Sequence, residues 1–249
     1  MLNFSRLTTS GDIVKVYVGE IKKLWYIHED LLCERSEYFK KAFQGSFKEG
    51  QEKEIHLTEL DPKAFGQFVD WVYGAPLQTT VPNTGRGKAP SATEFEQAFL
   101  FCKIYAAAQY LCMENLQNDA MDMYSSYMQS IETCFNISWY VASAHVEYIY
   151  NNTNRPSPMH DFMARLVAKA ILRASMTGQW DSVMEQCPAF AIDVVLKIQK
   201  LQKRGENDAF DEPRCTFHVH ERTAKCSSDQ LDVEIATSRR LVQRVRTRY

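Results

Sequence analysis

No stretch of this sequence stays apolar for the roughly 20 residues that a membrane-spanning helix needs. The best candidate, Phe99–Met113, is interrupted by Lys103 and Gln109. The N-terminus lacks a basic region followed by a long apolar run, so no secretory signal is expected. An excess of one charge is missing too: 29 basic residues face 31 acidic ones, a formal net charge of −2. That balance gives no overall signal for nucleic acid or a membrane surface. Catalytic motifs are absent. To be a phosphate loop, "GRGKA" (Gly85–Ala89) would need Gly at Pro82 and Ser or Thr at Ala89. There is no nucleophile elbow, no H-E-x-x-H and no solenoid repeat. His28 and Cys33 are five apart at a helix start, a spacing that splays the side chains instead of pairing them. The expectation is a soluble, cytoplasmic or nuclear protein that is not an enzyme and does not contact a membrane. Seven cysteines, an odd number, mostly inside helical patterns, suit a reducing compartment where Cys serves as a small apolar residue.

What is present can build a core: 45% of residues are hydrophobic and 12% aromatic. "DIVKVYV" (Asp12–Val18) alternates, with Val14, Val16 and Val18 on one face, and "IKKLWYI" (Ile21–Ile27) follows. Gly19-Glu20 between them predicts a two-residue hairpin turn. "HEDLLCERSEYFKKAF" places Leu32, Ser36, Phe39 and Phe43 at helical spacing, with acids at its start and Gly45 at its end, which predicts one helix. A strand over 53–57 follows, with His56 facing outward. The next helix is capped by Asp61, starts at Pro62 and ends at Gly74, with Phe65, Phe68, Val69, Val72 and Tyr73 as its apolar stripe.

Residues 75–92 are Pro/Gly-rich and predict a mobile loop. "TEFE" (Thr93–Glu96) predicts a capping box that opens a helix apolar nearly all round. Beyond it come a helix through Leu116, Ala120, Met123 and Tyr127, then helices over 139–150, from Pro158, and over 190–201. "RGENDAFDEP" (Arg204–Pro213) has the composition of an acidic linker. The last 14 residues hold five arginines and no acid, so the rest of the chain carries 24 basic against 31 acidic residues. The order of elements predicts α+β at the N-terminus and an all-α continuation.

The stretch "GDIVKVYVGEIKKLWYIHEDLLCERSEYFKKAFQGSFKEGQEKEIHLTELDPKAFGQFVDWVYG" strongly resembles a BTB/POZ domain. The resemblance rests on Asp12 ahead of the first strand and His28 in "IHEDLL". It also rests on Ser36, Tyr38 and Phe39 in "RSEYFKKAF", and on Asp61, Pro62 and Tyr73 in "LDPKAFGQFVDWVYG". With "CKIYAAAQYLCMENLQNDAMD" as the closing helices it covers residues 10–128. Residues 1–9 are then an extension, 129–203 a helical region, and 204–249 the acidic linker, a Cys/His segment and the basic tail. The chain looks like fungal BTB/POZ proteins with a helical C-terminal half.

The family implied is one of small sheets with covering helices that act as interaction modules. Members dimerise, recruit transcriptional corepressors, or dock on cullin-3 while a second domain holds a substrate. Protein partners are therefore expected, with a cullin-3 ubiquitin-ligase adaptor as the first reading. The alternative is a nuclear transcriptional regulator that recruits corepressors and touches nucleic acid through its basic tail. Five arginines without a reading element would attract nucleic acid only weakly, so it is not an expected partner. Dimerising members carry a helix and strand before the first hairpin. About ten residues precede Asp12 here, so a weak homodimer or none is expected.

One cluster stands apart. "CTFHVHERTAKC" (Cys215–Cys226) holds two cysteines and two of the chain's six histidines. It reads as a plain polar loop, a Cys215–Cys226 disulfide, or a structural zinc site made by Cys215, His218, His220 and Cys226. A reducing compartment disfavours the disulfide. For zinc, the x2 spacing of Cys215 and His218 suits a tight turn, and His218 and His220 project to one face of an extended segment.

Overall fold

The structure, a computed structural model, describes residues 11–77, 92–135, 143–172, 180–204 and 212–226, apart from the side chains of 94, 131–135 and 204. β1 (Ile13–Val18) pairs antiparallel with β2 (Lys23–His28) and parallel with β3 (Glu54–Leu57), giving the order β2-β1-β3. The alternation of β1 buries Val14, Val16 and Val18 completely. On the outer face Tyr17 stacks on His56 with ring centroids 4.5 Å apart, so His56 is the outward position expected. The hairpin turn differs from the two-residue loop the sequence suggests. It spans 19–22, because Gly19 (φ 73°) and Lys22 (φ 51°) both take the left-handed region and the Lys22 N–H donates to the Gly19 carbonyl at 3.0 Å. Only glycine suits position 19: a Cβ there would also lie 2.8 Å from Cγ of Pro62.

The single helix expected after the hairpin is two, α1 (Glu29–Arg35) and α2 (Glu37–Gln44), broken at Ser36 with φ −138° and ψ 118°. Ser36 Oγ accepts the Phe39 N–H at 3.2 Å as a helix cap and donates to the Leu111 carbonyl at 2.7 Å. Ser36 is buried like Leu32, Phe39 and Phe43, so the helical spacing conceals the break. A short α3 (Lys48–Glu52) precedes β3, and the sequence does not announce it.

α4 (Pro62–Val72) follows its punctuation: Asp61 accepts from the N–H groups of Lys63 and Ala64 at 2.8 and 3.0 Å, and Phe65, Phe68 and Val72 are buried. Tyr73 lies at its end, 39% exposed. Of the loop expected over 75–92, residues 78–91 lie outside the described residues. Leu77 is buried, and Ala92 already opens α5 (Ala92–Tyr110), so Thr93 stands in the first turn and not ahead of it. α6 (Glu114–Phe135), α7 (Ser143–Asn152), α8 (Pro158–Leu172), α9 (Asp181–Gln186) and α10 (Pro188–Arg204) complete the helices. Ser157 caps α8, accepting the His160 N–H at 3.4 Å. α9 is a further helix that the sequence reading lacks. Residues 136–142, residues 205–211 of the acidic linker and the basic tail lie outside the described residues.

α5 packs against α4, α6 and α7, and α8 against α7 and α10. One continuous core therefore runs from the sheet through Tyr105 and Tyr124 to Phe162 and Phe190. The loop before α8 is tied to α10 by Arg155, which donates to both Asp193 oxygens at 2.8 and 2.9 Å, while the Tyr150 hydroxyl donates to Asp193 at 2.8 Å.

Phe68 is 1% exposed, with its ring centroid 4.8 Å from Phe65 and 6.0 Å from Phe39. Phe68→Ala should destabilise the fold by about 3–5 kcal/mol through lost burial and a cavity. Chemical denaturation measures it, and a loss below about 1 kcal/mol would place the ring in water.

His145 and His160 are buried, and loss of hydration lowers each pKa from 6.5 to about 4. Tyr124 Oη lies 3.3 Å from His145 Nδ1, and Thr153 Oγ1 lies 3.0 Å from His160 Nε2. Both rings are therefore neutral in the fold, while the unfolded chain takes up protons below about 6.5. The stability they contribute is complete above pH 6.5 and is lost as pH falls towards about 4, at up to about 1.4 kcal/mol per pH unit for each ring. NMR titration should give both rings midpoints near 4; midpoints at or above the ordinary imidazole value would contradict their burial.

Candidate metal centre

The Cys/His segment begins at Pro213, which starts a tight 3-10 turn over Arg214–Phe217. The turn carries Cys215 and ends at His218, whose N–H donates to the Cys215 carbonyl at 3.2 Å. His218 itself is extended (φ −98°, ψ 154°), which lets the rings of 218 and 220 come to one side. The chain then turns at 221–223 and returns to Cys226. One ligand atom from each of Cys215, His218, His220 and Cys226 lies within 4.8 Å of all the others. Cys215 Sγ is 3.2 Å from His220 Nε2, His218 Nδ1 is 3.2 Å from Cys226 Sγ, and Cys226 Sγ is 3.8 Å from His220 Nε2. Cys215 and Cys226 are not bridged to each other.

What holds the segment is not legible in the sequence. α6 presents Glu114, Asn118, Asp122 and Ser126, each four residues from the last and so on one face of the helix. Every one of them engages the segment. The Glu114 carboxylate accepts from the N–H groups of Arg222 and Thr223 and from the Thr223 hydroxyl, all at 2.9–3.0 Å. Burial works against the charged form of Glu114, but these donors outweigh it and hold its pKa below the ordinary value. The Asn118 amide pairs with the Val219 backbone in both directions, at 2.7 and 2.9 Å. Asp122 Oδ1 accepts from His218 Nε2 at 2.9 Å, and Ser126 Oγ accepts from Arg214 at 3.2 Å. The readable signal was the four-residue spacing of polar side chains on one face, which a solvated helix shares.

Each histidine thus has one nitrogen committed outside the cluster. His218 Nε2 points to Asp122, and His220 Nδ1 lies 3.4 Å from Thr223 Oγ1. With Nε2–H donating to Asp122, His218 turns the Nδ1 lone pair inward, and His220 turns Nε2 inward. Two lone pairs and two thiol sulfurs converge, a donor set suited to a tetrahedral ion.

The segment also reaches the helical half. Phe217 is 4% exposed, sits edge-on to Phe162 of α8 at 5.1 Å, and lies under the Arg165 guanidinium at 5.5 Å. Phe217 is the only buried residue in 212–226. Burying one such ring contributes about 2–3 kcal/mol, and each hydrogen bond about 1 kcal/mol net. Ordering the backbone costs about 1–2 kcal/mol per residue. Summed over residues 212–226, that ordering cost exceeds what these contacts return.

The positions that carry the BTB/POZ resemblance are structural. His28 Nδ1 lies 2.8 Å from the Tyr73 hydroxyl, so a half-buried ring at the start of α1 is joined to the end of α4. Tyr38 meets Tyr110 with hydroxyls 3.4 Å apart, and Phe39 is buried in the core. Ser36 and Asp61 are helix caps, Pro62 opens α4, and Asp12 uses its backbone carbonyl to accept from Glu29 N–H at 2.9 Å.

The family model described as BTB/POZ domain matches residues 12–127. Curated relatives are similar over shorter stretches. The Kelch repeat and BTB domain-containing protein 1 of Vaccinia virus (strain Copenhagen) is 36% identical over 56 residues, 22% of this chain and 10% of that protein. Kelch-like protein 38 of Homo sapiens is 30% identical over 83 residues, 33% of this chain and 14% of its own length. The BTB and MATH domain-containing protein 15 of Caenorhabditis elegans is 35% identical over 66 residues, 26% of this chain and 23% of its own. The chain thus spans less than a quarter of the length of each relative. Among the described residues no helix is long and apolar enough to cross a membrane. The matched model and the three-stranded sheet with its covering helices together make residues 12–127 a BTB/POZ domain.

Proposed function

We propose that this chain is a non-enzymatic protein–protein interaction adaptor, and that its BTB/POZ domain docks on cullin-3 while the helical half presents a second partner. The observation that carries the reading is the BTB/POZ domain at 12–127. Its likeness to Kelch and BTB proteins supports an adaptor over the nuclear-regulator alternative. The surface best suited to docking lies at the end of α2. Phe47 is 60% exposed there, beside a shallow depression lined by Glu37, Lys40, Lys41 and Gln44. An exposed aromatic ringed by charged side chains has the make-up of an interface anchor.

Calorimetry of the full chain with the cullin-3 N-terminal region tests the proposal. Binding is expected, and Phe47→Ala should weaken it at least tenfold while leaving the melting temperature unchanged. No binding by the parent would remove cullin-3 and leave an adaptor for another protein. Steeply salt-dependent binding to duplex DNA, abolished by replacing the arginines between Arg239 and Arg248, would instead favour the regulator.

A further inference from the structure

We propose that Cys215, His218, His220 and Cys226 hold one zinc ion in a closed four-ligand site, and that the ion fastens residues 212–226 as a strap joining α6 of the BTB/POZ domain to α8 of the helical half. This does not rest on the adaptor reading.

Four observations carry it. The first is spacing. Zinc bonds of about 2.0–2.1 Å to nitrogen and 2.3 Å to sulfur put neighbouring tetrahedral donors about 3.4–3.8 Å apart. The donors here stand at 3.2, 3.2 and 3.8 Å where they touch, and all lie within 4.8 Å. The second is donor chemistry. Two thiolates and two imidazoles, without a hard oxygen among the four, suit zinc and not magnesium or calcium. The ion's two positive charges balance two thiolates, so a half-buried site carries no net charge from the ion and these ligands.

The third is the outer shell. Asp122 holds the far nitrogen of His218 at 2.9 Å, the carboxylate–histidine arrangement that fixes ring orientation around a metal. Thr223, itself fixed by Glu114 at 2.9 Å, stands against the far nitrogen of His220. The fourth is the strap's reach. Its backbone is held by Glu114 and Asn118 of α6, while Phe217 packs on Phe162 of α8 and Glu212 pairs with Arg165 of α8 at 3.5 Å. With Phe217 the one residue of the segment buried as a whole, a cross-link supplies the order that packing does not. All four positions come from the protein, so no coordination site stays open for substrate and the ion's role is structural.

The full chain, purified without added zinc, should contain about one equivalent of zinc by elemental analysis. Cobalt substitution should give the visible absorption of a tetrahedral sulfur–nitrogen site. Cys215→Ser/His220→Ala should lose the metal. Asp122→Asn keeps all four ligands and should lower zinc affinity about 10–100-fold, which keeps the idea testable if the double variant fails to fold. Chelation should speed hydrogen exchange at the amides of Val219, Arg222 and Thr223 while leaving those of β1 unchanged. No metal in the parent, a different metal in stoichiometric amount, or metal retained by the double variant would overturn the site. Unchanged exchange at the strap amides after chelation would overturn the fastening role.

Discussion

A helix without a polar face has to be enclosed on every side, and α5 is such a helix. Ala98, Phe101, Cys102, Ile104, Tyr105 and Ala108 are all buried, and α4, α6 and α7 each cover part of its circumference. The cation in its middle, Lys103, is satisfied by Asp61 at 2.8 Å. Burial alone would raise the pKa of Asp61. The Lys103 ammonium and the capping N–H groups of Ala64 and Lys63 outweigh that and hold it below the ordinary value. One carboxylate therefore caps α4 and neutralises the charge that α5 brings into the core. Because α7 is part of the enclosure, the core does not stop where the BTB/POZ match ends at residue 127. His145 of α7 stacks on Phe99 of α5 with centroids 5.4 Å apart, and Tyr124 of α6 meets Phe162 of α8 at 6.2 Å.

Local patterns reached the structure wherever the decisive interactions were local. The alternation of Val14, Val16 and Val18, the Asp61-Pro62 start of α4 and the all-round apolarity of α5 need only neighbouring residues to be understood. Reading failed where a distant partner decides the backbone. Ser36 breaks a helical pattern because its hydroxyl has the Leu111 carbonyl to bond, 75 residues away. The left-handed Lys22 is a local exception: its N–H bonds the Gly19 carbonyl three residues back, in a turn longer than the Gly-Glu pair suggests. Cys215, His218, His220 and Cys226 were visible as a group because all four lie within twelve residues. Glu114, Asn118 and Asp122 were not, since each is defined by an atom about a hundred positions later.

α6 shows how one helix serves two sides at once. Leu116, Ala120, Met121 and Tyr124 enter the core, while Glu114, Asn118, Asp122 and Ser126 meet the strap. Most solvated helix faces vary in charge and length without consequence. This one matches its partner group by group: a carboxylate for two backbone N–H groups, an amide for a backbone pair, a carboxylate for a ring nitrogen. Asn118 is buried at 8% exposure, so leaving either of its amide atoms unpaired would carry a desolvation cost. Substitution on this face therefore acts on the strap first and on the core second.

Stiffness is what connects the strap to the proposed function. An adaptor fixes the distance between two partners only if the path between its two surfaces does not bend. In this chain the path crosses from a sheet-based domain into a bundle of helices, a place where a flexible linker would otherwise set the geometry. The shared core removes most of that freedom. The strap acts from the outside, gripping α6 with polar contacts and α8 with Phe217. Arg165 strengthens the far end: it lies over the Phe217 ring at 5.5 Å, bonds Asp161 of its own helix at 2.8 Å and reaches Glu212 of the strap at 3.5 Å. A brace of this kind carries load only when both ends hold. The Cys/His cluster lies beside α6, where Glu114 and Asn118 hold the strap by its backbone, and not beside α8, where Phe217 already anchors it.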